Sequence, residues 1–185
     1  MKLSQIELDR PAPSYRREAI TQVAAELFYS KGFSNTSLAE IAALIGFRKP
    51  VIYESFADKK DLLNSVASSG IEKGLLKLGP APVVDLSTDE LIERLIGVQD
   101  VFIHFHKHIV VYIREELNLR PGDARRIRAK RRKFDETLIA WIKSLSCNKL
   151  SSVPNVEFAA LSISGLITWP VFWFDNRGSF FDSNE

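Results

Sequence analysis

Apolar residues along this chain recur at intervals of three and four, the repeat that lines one face of an α-helix. Ile20, Val23, Ala24, Leu27 and Phe28 form the first such face. Ser14 is placed to cap that helix, and Lys31-Gly32 closes it with a basic residue followed by a glycine. Ser37-Leu38-Ala39-Glu40 has the spacing of a capping box and opens a short helix with Leu38, Ile41, Ala42 and Ile45 inward. Gly46 ends it. Pro50 then falls in the first turn of a third helix, where its missing N–H removes no hydrogen bond. Asp58 caps a fourth helix, predicted from Lys59 to about Leu78.

Gly79-Pro80-Ala81-Pro82 is the clearest break in the pattern. Ser87-Thr88-Asp89-Glu90 is a second capping box, and the helix it opens is predicted to run to about His106. Another helix is predicted over about Lys107–Leu119, stopped by Arg120-Pro121-Gly122. A long one covers Asp123 to Ser146, with Ile127, Phe134, Leu138, Trp141, Ile142 and Leu145 on one side. The last, Val153 to Asp175, is rich in aromatics. No alternating strand pattern and no internal repeat stands out. The expected fold is all-α: a three-helix helix-turn-helix domain over residues 14–58, then a helical regulatory domain over 59–185.

Composition narrows the function. The chain has 185 residues and a net charge of +2, so overall charge gives no attraction to polyanions, and any nucleic-acid contact must come from a local patch. One cysteine, Cys147, excludes an intrachain disulfide framework and fits a reducing compartment. The N-terminus, MKLSQIELDRPAPSYRR, has no apolar core of a secretion signal. The longest apolar run, Leu161 to Phe174, contains Pro170 and serines and is too short to span a bilayer. A cytoplasmic location without a membrane partner is expected. No nucleophile–base pair, glycine-rich phosphate loop or paired-carboxylate motif is evident, so neither an enzyme nor a cofactor is expected.

The segment around Gly46 meets the steric needs of a helix-turn-helix. Ala42 is small where two helices approach, Gly46 supplies the positive φ of a tight turn, and Ile52 plugs the third helix into the shared core. The opposite face of that third helix presents Arg48, Lys49, Val51 and Tyr53. In such motifs the N-terminal residues of the second helix enter the major groove. Spacing alone leaves an αα-hairpin with solvated basic residues as the alternative.

The stretch RREAITQVAAELFYSKGFSNTSLAEIAALIGFRKPVIYESFADKKDLL resembles the DNA-binding domain of TetR-family transcriptional regulators over Arg16–Val66. The matching parts are Ala24-x-x-Leu27-Phe28, Lys31-Gly32-Phe33, Thr36-Ser37, Ile41-Ala42, Ile52-Tyr53-x-x-Phe56 and Lys59 with Leu62. The resemblance implies phosphate-contacting or capping roles for Thr36 and Ser37. It implies phosphate contacts for Tyr53 and Lys59 and a core role for Phe56. With Arg48, Lys49, Pro50 and Val51 these make the expected contact set for double-stranded operator DNA. Two departures stand out. Arg48 replaces the family's usual serine cap, and Glu54 follows Tyr53 where the family often has His or Tyr. Glu54 must then point away from phosphate or accept from a cytosine amine.

Farther along, REELNLRPGDARRIRAKRRKFDETLIAWI and ISGLITWPVFWFDNRGSF are similar to the regulatory domain of a TetR branch that answers to acyl-CoA thioesters. Phe102, Phe105, Ile109, Tyr112, Phe134, Leu138 and Trp141 are the candidates to line an effector cavity, against the alternative of a filled core. Arg125 to Lys133 holds seven cations in nine residues, either a solvated face or an anion site. The last two long helices carry more apolar surface than one small domain buries, which points to a homodimer. Leu138, Ile142, Leu145, Leu161, Gly165, Trp169, Phe172 and Trp173 are its candidate interface. His104 and His108 share a helical face with Glu115 farther along, but nothing completes a metal site, and exposed or core-edge histidines are expected. The resulting expectation is a dimeric repressor released from DNA by a small molecule. A helical interaction module without DNA binding is the competing reading.

Overall fold

The computed structural model describes residues 13–82, 86–145 and 155–173. Among these residues there are eight α-helices and no strand. They are α1 (Pro13–Lys31), α2 (Leu38–Ile45), α3 (Lys49–Ser55), α4 (Lys59–Leu78), α5 (Thr88–His104), α6 (His106–Glu115), α7 (Pro121–Lys143) and α8 (Val156–Thr168). Two 3-10 turns follow α6 and α8, at Glu116–Asn118 and Trp169–Phe172. No described helix is long and apolar enough to cross a membrane.

The local signals act as their chemistry dictates. Ser37 caps α2 by accepting from the Glu40 N–H at 3.1 Å. Ser87 and Glu90 form a reciprocal capping box at α5. Asp58 accepts from the Asp61 N–H and caps α4. Three expectations need correction. α1 starts at Pro13, so Ser14 lies inside its first turn and is no cap. Arg120-Pro121-Gly122 opens α7 because Pro121 sits at the helix start, where it needs no N–H partner. α8 is shorter than predicted. Asn155 caps it, and Pro170, unable to donate, tightens the chain into a 3-10 turn after Thr168. The expected ends at Ser146, Val153 and Asp175 lie outside the described residues, as does Cys147.

Two apolar clusters form the core, and α4 belongs to both. The first joins Ile20, Ala24, Phe28, Ile41, Ile52 and Phe56 to Leu62, Leu63 and Val66 of α4, and extends to Val111, Tyr112 and Ile127. The second gathers Leu78, Val98, Phe102, Phe134, Leu138 and Trp141, with Ile167 of α8. Gly70 and Gly74 let α5 and α6 pack tightly on α4. A Cβ on Gly74 would lie 2.3 Å from the Phe102 ring, and one on Gly70 would lie 2.6 Å from Ile109. Polar ties fasten α1 and its following turn to α6, and the N-cap of α4 to that of α7. Lys107 pairs with Glu26, Arg114 lies 5.2 Å over the Tyr29 ring, the Phe33 N–H donates to Glu115 at 3.1 Å, and Arg120 pairs with Asp58.

One buried polar group stands apart. His108 is only 2% exposed and its Nδ1 has no hydrogen-bond partner. Burial, aided by the positive field of His104, His106 and Lys107, pushes its pKa down to about 4. A folded pKa below the unfolded one means the unfolded chain takes up the proton first. Stability from this group is therefore whole at neutral pH and is lost as pH falls from about 6.5 toward about 4, by an amount on the order of 3 kcal/mol. Denaturant unfolding of wild type and His108→Leu across that range tests this. The variant should lose markedly less stability on acidification; parallel losses would assign the effect to other groups.

Candidate nucleic-acid interface

α3 is built to show one face and bury the other. Ile52 is fully buried, while Arg48, Lys49, Pro50 and Tyr53 are exposed and Val51 is half-buried. Gly46 turns the chain from α2 into α3 at φ 75°, where a side chain would be strained. Ala42 is 2% exposed at the point where the helices meet. Arg48 occupies the N-cap position but makes no side-chain cap bond, and Pro50 sits in the first turn. Its guanidinium is therefore free to reach outward. Tyr53 is 59% exposed.

The residue after it does not join this face. Glu54 accepts from Arg16 Nη1 at 3.2 Å, so its carboxylate is drawn toward α1 and partly neutralised. That arrangement removes the like-charge conflict with phosphate without requiring a base contact. The neighbouring Arg17 works on the other end of α3. It donates to the Ser55 carbonyl, and its guanidinium lies 4.1 Å over the Phe56 ring. Periodicity gave no hint of these two arginines. Their signal was a pair of cations one turn before the apolar face of α1.

Three other expected contacts fare differently. Ser37 is exposed and caps α2. Thr36, assigned a contact or capping role, is 2% exposed, and its hydroxyl donates to the Gly32 carbonyl at 3.0 Å. It fixes the turn from inside and cannot reach a phosphate. Lys59 is half-buried with its ammonium 4.2 Å over the Phe33 ring, and burial lowers its pKa from the usual value. It points back onto the α1–α2 turn.

A cavity of about 170 Å³ opens beside α4 in the other half. Of the seven residues expected there, Phe102, Ile109 and Tyr112 line it. Phe105 lines a separate polar cleft. Phe134 and Leu138 are buried in the second cluster, packed as core. Trp141 sits at the far end, its indole N–H donating to the Gly79 carbonyl at 3.1 Å. Unexpected walls are Ala67, Ile71, Ile113, Ile127, Thr168, Phe172 and Arg131, the last 5.9 Å over the Tyr112 ring. Periodicity marked Ile127 as inward but could not say which space it faced.

The expected dimer surface divides as well. Leu138 and Ile142 are 0% and 3% exposed under their own chain, so they are unavailable to a partner. Leu145 is half-buried and bridges to Leu86. Leu161, Gly165, Trp169, Phe172 and Trp173 are exposed, and Phe158 and Leu166 join them at 71% and 72%. The basic run on α7 is partly spent: Arg126 pairs with Asp123, Arg128 with Glu116 and Lys130 with Glu72. Among the described residues no three His, Cys, Asp or Glu side chains gather as a metal site, and Glu115 is engaged with Phe33 and Asn118.

These differences in environment set different stabilities. Ile52→Ala should cost about 2–5 kcal/mol through lost burial and a cavity. Arg48→Ala should stay within about 0.5 kcal/mol, since no cap bond is lost. Arg48→Ser should add about 1 kcal/mol by supplying the missing cap. Thermal unfolding of the three variants checks the order; a large loss in Arg48→Ala would reveal a structural role for that side chain.

Comparison with known proteins agrees with this geometry. Residues 20–66 match the model of bacterial regulatory proteins of the tetR family, and residues 84–182 match the tetracyclin repressor-like C-terminal domain. The HTH-type transcriptional regulator AcrR of Shigella flexneri is 44% identical over 50 residues, which span 27% of this chain and 23% of that protein. PfmR, a TetR family regulator from Thermus thermophilus, is 22% identical with a TM-score of 0.71, covering 86% of this chain and 87% of that one. A TetR/AcrR-family regulator from Thermobifida fusca is 27% identical with a TM-score of 0.62, over 89% and 88%. AibR, solved with isovaleryl coenzyme A and operator DNA, is 24% identical with a TM-score of 0.65, over 89% and 90%. The C-terminal model alone takes in more than half of the 185 residues, and this chain belongs to the TetR family of bacterial regulatory proteins.

Proposed function

We propose that this chain is a cytoplasmic, homodimeric repressor that binds operator DNA through α3 and releases it when a small molecule fills the cavity beside α4. The observation that carries the reading is the division of α3. A fully buried Ile52 fixes the helix, while Arg48, Lys49 and Tyr53 stand free on the outer face. Arg48 and Lys49 lie at the helix N-terminus, the end that enters a major groove. Functionally the chain divides near residue 58: the preceding part carries the DNA contacts, and the part from 59 onward carries effector and partner. The two share one apolar cluster, so the division is one of role.

The partner is a second copy, seated on the stripe formed by Phe158, Leu161, Gly165, Leu166 and Trp169. These residues follow the three-four repeat of one helical face, with a glycine at its centre for close approach. A two-fold dimer would place two copies of α3 for two half-sites.

The effector is inferred from the cavity. A space of about 170 Å³ suits a short acyl chain and is too small for a whole nucleotide-bearing thioester. Arg131 on the cavity wall supplies a cation for a carboxylate or phosphate head that stays outside. An acyl-CoA with a short chain meets both demands, and the AibR complex shows that the fold can hold one.

Operator fragments from the neighbourhood of the gene give the direct test. Tyr53→Phe should weaken binding about tenfold on every sequence, through one lost phosphate hydrogen bond. Lys49→Ala should lower the salt slope by about one. Arg48→Ala should change the ranking among sequences. Equal affinity of wild type and all three variants would move the DNA contacts away from α3, and absence of operator binding by wild type would favour the interaction-module reading.

Leu166→Glu should convert the dimer to a monomer in sedimentation and abolish operator binding with it. A dimer that survives this change would move the interface away from α8. Short-chain acyl-CoA should release wild type from DNA and act more weakly on Arg131→Met. Unchanged release in that variant would remove Arg131 from the site.

A further inference from the structure

A polar cleft of about 360 Å³ lies at the junction of α1, α4 and the α5–α6 elbow. It is separate from the apolar cavity and shares no lining residue with it. Its walls carry Arg17 and Gln22 from α1, Lys73 from α4, and His104 and His108 from the elbow. One buried polar atom of this lining is unsatisfied. His108 is 2% exposed, yet its Nδ1 has no hydrogen-bond partner. A buried polar atom without a partner carries a desolvation cost that a ligand would relieve.

The charge in the cleft favours an anion. Arg17 and Lys73 face one carboxylate, Glu18, which holds Lys73 only loosely at 3.7 Å. Burial is the main cause of the lowered His108 pKa, and the positive field of His104, His106 and Lys107 adds to it. An anion would offset the second of these causes and favour protonation of the imidazole.

Arg17 also connects this cleft to the DNA-binding face. It donates to the Ser55 carbonyl at the end of α3 and stacks on Phe56, the residue that caps that helix. A ligand that draws the guanidinium into the cleft would release this tether.

We propose that the cleft binds a small oxyanion, a carboxylate or a phosphate group, held by Lys73, Arg17 and the buried His108, and that its occupancy weakens DNA binding by pulling Arg17 from the end of α3. The binding part stands on the cleft alone; the coupling part rests on the proposed DNA contacts of α3. Two effector inputs would then meet on α4, an apolar one beside Phe102 and an ionic one beside Lys73.

The chain has only three histidines, so its imidazole resonances can be followed one by one. His106 hydrogen-bonds the Ile103 carbonyl and packs on Tyr29 outside the cleft, which makes it an internal control. The full chain is titrated near neutral pH with inorganic phosphate, and separately with acetate, against sodium chloride at matched ionic strength. His108 and His104 should move saturably with at least one of the two anions while His106 stays, and the arm that saturates lower identifies the preferred head group. In Lys73→Gln half-saturation should need about tenfold more anion, the worth of one charge-assisted hydrogen bond. No movement with either anion, or an unchanged titration in Lys73→Gln, would overturn the site. Operator affinity is measured in the same buffers. A fall with the binding anion that is diminished in Lys73→Gln supports the coupling. Saturable histidine shifts with constant operator affinity would overturn it. No operator binding in chloride alone would count against the proposed DNA contacts of α3 and the coupling built on them, while the histidine titration would still decide the site.

Discussion

The packing of α4 against α1, α5, α6 and α7 is the constraint on which the fold depends. One face of this helix closes the core of the DNA-binding half through Leu62, Leu63 and Val66. Farther along, Leu78 anchors it in the second cluster, and Ile71 packs against both. Gly70 and Gly74 make this possible, because Ile109 and Phe102 lie where Cβ atoms would be. In a helix interior each glycine costs about 0.5–1 kcal/mol relative to alanine. The close approach it permits buries side chains that each contribute about 1.5–3 kcal/mol. The exchange favours glycine wherever a large partner fills the space, as Phe102 and Ile109 do.

The same arrangement explains why the two halves cannot be independent bodies. The first cluster runs without interruption from Ile20 in α1 to Ile127 in α7. Four polar ties reinforce it at the surface, each between groups far apart in sequence. Surface pairs of this kind add little energy individually. Their geometric effect is larger, since they set the orientation of α1 and, through Arg16 and Arg17, that of α3. α3 has seven residues and no side-chain cap, so it has little stability of its own. Its position is dictated from outside, by Ile52 below and Arg17 at its end.

What the sequence made legible was local. Gly46, Pro50 and the caps Ser37, Asp58 and Ser87 each act through atoms a few residues away, so their roles could be stated from spacing. The misplaced residues share the opposite property. Leu138 and Ile142 were correctly marked as apolar and inward, but the 3.6-residue repeat names a face and not its neighbour, and their own chain covers them. Thr36 follows the same logic. Resemblance suggested a contact or a cap, while its hydroxyl bonds back to Gly32, four residues earlier, an option open to any threonine after a helix end. Glu54 could be resolved only by finding Arg16, 38 positions away.

Such a body can transmit a signal without any element unfolding. Phe102 and Ile109 are at once walls of the cavity and the residues seated on Gly74 and Gly70. A ligand that pushes on either has no slack to absorb the motion on the α4 side, because a well-packed interior is close to incompressible. The α4 side is linked onward, since its first turn is tied to α7 by Asp58 and Arg120 and Ser65 faces Thr21 of α1. The size of the response is bounded by how much better the ligand binds one arrangement than the other, whatever its total affinity. If the proposed effector occupies this small cavity beside two glycines, a change of one methylene in it would press on residues seated directly on α4.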